Sequence, residues 1–121
     1  IVNKHLNITD ADGAQTDVAL VTVAAGTAII VTKCSAMADN ANTGDVQVRI
    51  GFGTANTPAN DANAGVILSH PGLDGGAGLI EGNGSGIVGM GASNEDLRIT
   101  CEDPAGGNLD ILVCYFTITI G

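Results

Sequence analysis

Apolar and polar residues alternate with a period of two over several short stretches, which is the pattern of a β-strand with one buried face. The clearest stretch is 45–52, where Val46, Val48, Ile50 and Phe52 alternate with polar residues or glycine. Patterns of this kind predict eight or nine strands along the chain. They cover 1–8, 17–24, 27–37, 45–52, 64–69, 78–81, 86–90, 96–102 and 109–120.

Glycine and proline interrupt the chain so often that long helices are disfavoured. Among the few stretches that run for twelve residues or more without either are 14–25, 27–43 and 108–120. The first two contain Val- and Thr-rich runs separated by a turn signal at Gly26, so we expect them to form a β-hairpin. The second also fits helical spacing, but its β-branched opening at 29–32 favours a strand.

The spacing of these strands is typical of an all-β fold, in which turns recur every 8–12 residues or so. We expect one antiparallel β-sandwich or jelly roll of about eight strands, covering 1–121 as a single domain. Within it, 1–9 is expected to be an N-terminal docking arm or strand. A loop around Pro58 and a turn at Pro71 and Gly72 separate the central strands.

Both faces of the last predicted strand carry apolar residues, whereas a strand face that is exposed to solvent normally carries polar ones. The face that we expect in the core carries Leu112, Cys114, Phe116, Ile118 and Ile120. Val113 and Tyr115 are on the other face, which we expect to contact a neighbouring subunit. From the N-terminal segment we expect Val2, Leu6 and Ile8 to join this interface.

Composition strengthens the expectation of an assembly. Of the 121 residues, 45% are hydrophobic and only 14% are charged, so charges are too few to cover the surface of a small domain. We therefore expect a homo-oligomer. The net charge of -9, with four Lys and Arg in total, disfavours nucleic acid as a partner. Neither a membrane-spanning apolar run nor a signal-peptide pattern is evident, and the high hydrophobic content disfavours disorder.

The three cysteines, Cys34, Cys101 and Cys114, form no CxxC pair and lie in apolar stretches. We expect buried thiols, which are typical of a protein that folds in a reducing cytoplasm. The only histidines are His5 and His70, and no nucleophile motif accompanies them. The sequence therefore predicts a protein that is not an enzyme.

Two patterns resemble ligand sites. The stretch 84–89 matches G-x-G-x-x-G, but the residues after it do not favour the helix that a dinucleotide site needs. Four carboxylates in turn-rich segments are weak calcium candidates, namely Asp10, Asp12, Asp39 and Asp45. Their spacing does not fit an EF-hand, and Asx residues also form turns without a metal. We accordingly assign neither a metal nor a cofactor.

Four segments together have a residue pattern similar to that of one class of protein. They are NANTGDVQVRIGFG at 40–53, GVILSHPG at 65–72, EGNGSG at 81–86 and ASNEDLRITC at 92–101. The combination resembles small virion proteins of tailed bacteriophages, which decorate capsids or build head or tail fibres. The resemblance implies a β-sandwich or jelly-roll subunit, usually trimeric, that stabilises or extends a particle.

The expected function is therefore that of a capsid decoration (cement) protein. Its partners would be further copies of itself and the major capsid protein or other virion subunits, in a virion assembled in the host cytoplasm. One alternative is an extracellular, pilus-like filament subunit, in which 2–8 completes the sheet of the next copy. Another is a glycan- or receptor-binding module, although Phe52, Tyr115 and Phe116 are the only aromatic residues available for stacking on sugars.

Overall fold

The computed structural model of the chain describes residues 2–53 and 65–120. All nine predicted strands are present in it, at slightly different bounds. In chain order they are β1 (Val2–Thr9), β2 (Gln15–Val21), β3 (Thr27–Ala38), β4 (Val46–Phe52), β5 (Val66–Leu73), β6 (Gly78–Gly82), β7 (Gly89–Met90), β8 (Leu97–Cys101) and β9 (Asn108–Thr119). Within the described residues the only helical element is a 3-10 turn, Asp10–Asp12.

The strands form two antiparallel sheets that pack into a sandwich. The first sheet has the order β1-β9-β3-β6, with β7 also paired to β3, and the second has the order β2-β8-β4-β5. Most connections cross from one sheet to the other, and the first and last strands are neighbours. This is the arrangement of an eight-stranded jelly roll with the short β7 added. The predicted all-β sandwich is confirmed.

The predicted hairpin between β2 and β3 is wrong. The strand β2 pairs with β8 in the second sheet, whereas β3 lies inside the first sheet. Both sides of β3 are occupied, one by β9 and the other by β6 and β7. No side is left for β2, so the connection at Gly26 crosses the sandwich instead of closing a hairpin.

The predicted end of the fifth strand at Pro71 is also wrong, because β5 continues to Leu73. Proline lacks the N–H that an inner strand would donate, and it is tolerated in a strand at the edge of a sheet. Within the second sheet β5 pairs only with β4, so it is such an edge strand. The predicted loop around Pro58 lies outside the described residues.

The core lies between the inner faces of the two sheets. In the second sheet the predicted inward face of β4 is confirmed, since Val48 and Ile50 are fully buried, but Arg49 between them is buried as well. In the first sheet β9 contributes Leu109, Ile111 and Val113, each fully buried. The predicted phase of β9 is therefore inverted. Both faces of this strand are apolar, so its alternation did not determine which face turns inward.

Candidate assembly surface

The side of the first sheet that faces away from the core is unusual for its apolar side chains. Directly opposed residues of an antiparallel pair project to the same side. Since Ile111 and Val113 point inward, the residues between and beyond them point outward, as do the residues opposite those. We call this side the outer sheet face. It comprises Asn3, His5, Asn7 and Thr9 of β1, Asp110, Leu112, Cys114, Phe116 and Ile118 of β9, Ala28, Ile30, Lys33, Ser35 and Met37 of β3, Ile80 of β6 and Met90 of β7.

One region of this face is apolar without interruption. It runs along β9 and onto β3 and β7, and we call it the apolar patch. It consists of Leu112, Cys114, Phe116, Ile118, Ala28, Ile30 and Met90. Of these, Ala28 and Ile30 are already buried within the single chain, at 0% and 5% exposed, and the other five are half-buried or exposed. Met90 exposes 60% of its surface and Ile118 exposes 37%, while Ile80 on neighbouring β6 exposes 58%. Exposed apolar side chains grouped in this way mark a site of protein contact more often than a free surface.

Few charges accompany the apolar patch. Asp110 is the only carboxylate among the outward-pointing residues named above, and the imidazole Nε2 of His5 lies 3.4 Å from its Oδ1. Lys33 is opposite Cys114 and is half-buried. On a chain with a net charge of -9, a face with so few carboxylates repels another acidic protein only weakly.

Seven carboxylates are concentrated instead at one end of the sandwich, in the four loops that connect β1 to β2, β3 to β4, β5 to β6 and β8 to β9. Backbone hydrogen bonds hold these loops together, such as the one from the N–H of Thr43 to the carbonyl oxygen of Ala105 at 2.9 Å. We call them the acidic loops. Their carboxylates are those of Asp10, Asp12, Asp39, Asp45, Asp74, Glu102 and Asp103, and these four loops contain neither Lys nor Arg.

Crowding among these carboxylates changes how they titrate. A hydrogen bond to the side chain of Asp74, together with its negative charge, raises the pKa of Asp45. Partial desolvation and the nearby carboxylate of Asp10 raise the pKa of Asp103. Both carboxyl groups therefore hold a proton more readily in the folded chain than an isolated aspartate does.

The residues predicted to form the interface lie mostly elsewhere. Val113 and Ile8 are core residues, and Leu6 and Tyr115 are half-buried and pack against the core. Val2 alone among the five is well exposed, at 51%. The inverted phase of β9 is the reason, because it turns Val113 and Tyr115 inward and their alternate neighbours outward. The N-terminal segment is an edge strand of this chain's own sheet, paired with β9 from Val2 to Thr9.

The calcium candidates are all in the acidic loops, but two of the four stabilise turns instead. Asp12 accepts hydrogen bonds from the backbone N–H and hydroxyl of Thr9, at 2.8 and 3.1 Å, and so caps the 3-10 turn. Asp39 accepts one from the N–H of Ala41 in a turn. Across residues 2–53 and 65–120, no three His, Cys, Asp or Glu side chains are grouped so that they could hold a metal ion.

The glycine-rich match at 84–89 lies in the loop between β6 and β7 and ends at the first residue of β7, so a strand rather than a helix follows it. The side-chain oxygen of Asn83 accepts hydrogen bonds from the N–H and hydroxyl of Ser85, at 3.0 and 2.9 Å. This is an ordinary Asx turn, and it offers no helix N-terminus for a phosphate group.

The cysteines are free thiols, as expected, but they differ in exposure. Cys34 and Cys101 are buried, and desolvation raises their pKa to about 12 and about 11, respectively. Cys114 is half-buried on the outer sheet face. Thiols with such high pKa values are almost entirely protonated near neutral pH and react slowly with electrophiles.

A groove of about 380 Å³ opens between β1 and β2, the edge strands of the two sheets. Its lining combines apolar and amide or carboxylate side chains. They are Leu6, Asn7, Ile8, Asp12, Gln15, Val18 and Ala19. An aromatic ring on which a sugar could stack is missing from this lining, so the groove does not favour the glycan-binding alternative.

Comparison with known proteins does not place the chain in a family. No family model and no curated protein matches its sequence. One solved structure, of the T13 viral particle of IBDV, contains a chain that is 14% identical to this one, with a TM-score of 0.38. The match covers 97% of this chain and 31% of that one, so this chain spans about a third of the other's length. A likeness of this strength assigns neither family nor function.

The described residues include no helix that is long and apolar enough to cross a membrane.

Proposed function

We propose that this chain is a structural subunit of a virus particle and, more narrowly, a capsid decoration protein. The observation that carries the proposal is the apolar patch, a continuous group of apolar side chains, five of them exposed or half-buried, on one sheet of a strongly acidic domain. The resemblance of its sequence to small phage virion proteins supports the same function. So does the jelly-roll strand order, an architecture that viral capsid domains use among others.

In this role the protein acts by burying surface rather than by catalysis. Its partners are the major capsid protein or other virion subunits, together with copies of itself, and neither nucleic acid nor a membrane is required. A stable contact buries at least about 1,000 Å² in total. Many identical contacts on a closed shell reinforce one another, because each bound copy is one of many linked sites. The free thiols agree with assembly in a host cytoplasm.

Cryo-electron microscopy of native particles from the source material, labelled with an antibody against this chain, tests the proposal. We expect label at regularly repeated positions on the outside of the shell, and density there that the two-sheet sandwich fits. Particles without label and without such density would contradict a virion function.

The two alternatives have readouts of their own. Filaments formed by the purified chain alone would favour a pilus-like subunit built by strand addition, with the free edge of β1 as the natural acceptor or donor. Saturable binding on a glycan array would favour a receptor-binding module. We expect neither result.

A further inference from the structure

We infer that the apolar patch is the contact between two copies of this chain, which pack their first sheets face to face about a two-fold axis. The inference rests on the proposed function in one respect, since a repeated particle subunit works beside copies of itself. A contact of this kind is isologous, so the same residues of both copies meet. It differs from the trimer that the sequence resemblance implies.

The outer sheet face is large enough for such a contact. The strands of the first sheet contain 39 residues in all. At about 3.3 Å per residue along a strand and about 4.8 Å between strands, the flat area is on the order of 600 Å². A stable contact buries at least about 1,000 Å² in total, or about 500 Å² per partner, and stacked sheets pack about 10 Å apart. The area of the first sheet is therefore sufficient for a stable pair.

The distribution of charge favours a second copy as the occupant. Ile118 is ten residues along β9 from Asn108, where the acidic loops end, which corresponds to about 30 Å. The Debye length at physiological ionic strength is about 8 Å, so the acidic loops scarcely act on the far half of the patch. A cationic partner would be drawn to the acidic loops instead. Another copy, itself strongly acidic, can approach at the uncharged patch.

The patch contains its own chemical probe, Cys114. Cys34 and Cys101 are buried, and their raised pKa values keep them protonated and slow to react. Alkylation by iodoacetamide near neutral pH should therefore label Cys114 first. In a pair of face-to-face sheets this thiol is covered, so its labelling should slow as the protein concentration rises.

Sedimentation velocity of the full chain over a dilution series provides the first measurement. We expect a monomer–dimer equilibrium for the wild-type chain. Met90→Lys should raise the dimer dissociation constant at least about tenfold, because it places a charge in the apolar contact. This substitution lowers the magnitude of the net charge from -9 to -8, so a larger repulsion between the net charges of the copies cannot explain the loss.

Thr16→Lys is the matched control, since it adds the same charge at an exposed position in the second sheet. It should dimerise like the wild type, and circular dichroism should show β-rich spectra for both variants. A monomer at every concentration, a trimer, or equal weakening by both variants would overturn the inference. Labelling of Cys114 that does not depend on protein concentration would overturn it as well.

The failure of this inference can be told apart from the failure of the proposed function. A chain that stays monomeric in solution but labels native particles would overturn the two-fold contact and support the virion function. A chain that dimerises through the patch but is missing from particles would do the reverse.

Discussion

At the scale of single residues, Gly91, which directly follows β7, packs tightly against the core. A Cβ atom at this position would lie 2.7 Å from two ring carbons of Phe52, a side chain only 4% exposed. The backbone cannot easily retreat, because the N–H of Gly91 donates a 2.9 Å hydrogen bond to the carbonyl oxygen of Ile29. Only glycine fits between this strand pairing and the aromatic ring.

We therefore expect Gly91→Ala to lower the free energy of unfolding by about 1–3 kcal/mol, the usual cost of overpacking a core. Gly86→Ala is the matched control, since no heavy atom lies within 4 Å of its Cβ position. Its effect should stay within about 0.5 kcal/mol, as for most surface substitutions. Urea denaturation of both variants measures the difference, and equal stabilities would show that the Phe52 ring moves aside.

Asp45 provides a second prediction at this scale. Its pKa is raised above the ordinary 3.8, chiefly by the hydrogen bond to Asp74 and by that residue's charge. The folded chain therefore binds this proton at a higher pH than the unfolded chain. Stability from this group increases as the pH falls through the folded pKa, and the increase ends once the unfolded chain is protonated too.

Asp45→Asn should accordingly raise the thermal unfolding temperature at pH 7 and reduce the further rise on mild acidification. Glu81→Gln removes the same charge from β6, outside the acidic loops, and should preserve the wild-type dependence on pH. Calorimetric melts from pH 7 down to about pH 4 measure both effects. An unfolding temperature that falls for Asp45→Asn at pH 7 would mean that its carboxylate has a stabilising partner.

At the scale of the elements, the phase of β9 determines which side chains form the core and which form the patch. Ile111→Ala should cost about 2–5 kcal/mol, because it opens a cavity at a fully buried position. Leu112→Ala, its neighbour on the outer sheet face, should cost clearly less in the monomer. Denaturation at concentrations below dimerisation measures the pair. If Leu112→Ala costs more than Ile111→Ala, then the inward face of β9 is the one that the sequence pattern predicted.

The strands themselves were predictable because each half-buried strand keeps its own alternation and is bounded by glycine, proline or Asx residues. The pattern could not supply the pairing partners, since those depend on which strands occupy each side of β3. It also could not orient β9, where residues on both faces are apolar. Arg49 is a further case. Its polar position predicted a solvent-facing side chain, yet only 1% of its surface is exposed.

The candidate surface was predictable only in kind. The low charge content indicated that apolar surface would remain for a partner, and the last strand indicated where. The identity of the outward residues followed from the register of β9 with β1 and β3, in which Leu6 is opposite Ile111 and Cys34 is opposite Val113. Likewise the acidic turns are visible in the sequence, but their meeting at one end is a property of the topology.

At the scale of the whole molecule, the chain has an acidic end and an apolar face, and these two features oppose each other when copies associate. Each copy carries a net charge of -9, and seven of its 13 acidic residues lie in the acidic loops. At low salt, near 0.01 M, the Debye length is about 30 Å, comparable with the distance from those loops to the far half of the patch. At about 0.15 M it falls to about 8 Å, which removes most of that repulsion.

Association through the apolar patch should therefore strengthen as sodium chloride is raised from about 0.01 to 0.15 M, because salt screens the repulsion between acidic ends and leaves the apolar contact intact. Sedimentation equilibrium at several salt concentrations measures this dependence. Thr16→Lys should behave in the same way with a slightly smaller salt effect, since the added lysine changes its net charge from -9 to -8. Weaker association at higher salt would mean that opposite charges, rather than apolar side chains, hold the copies together.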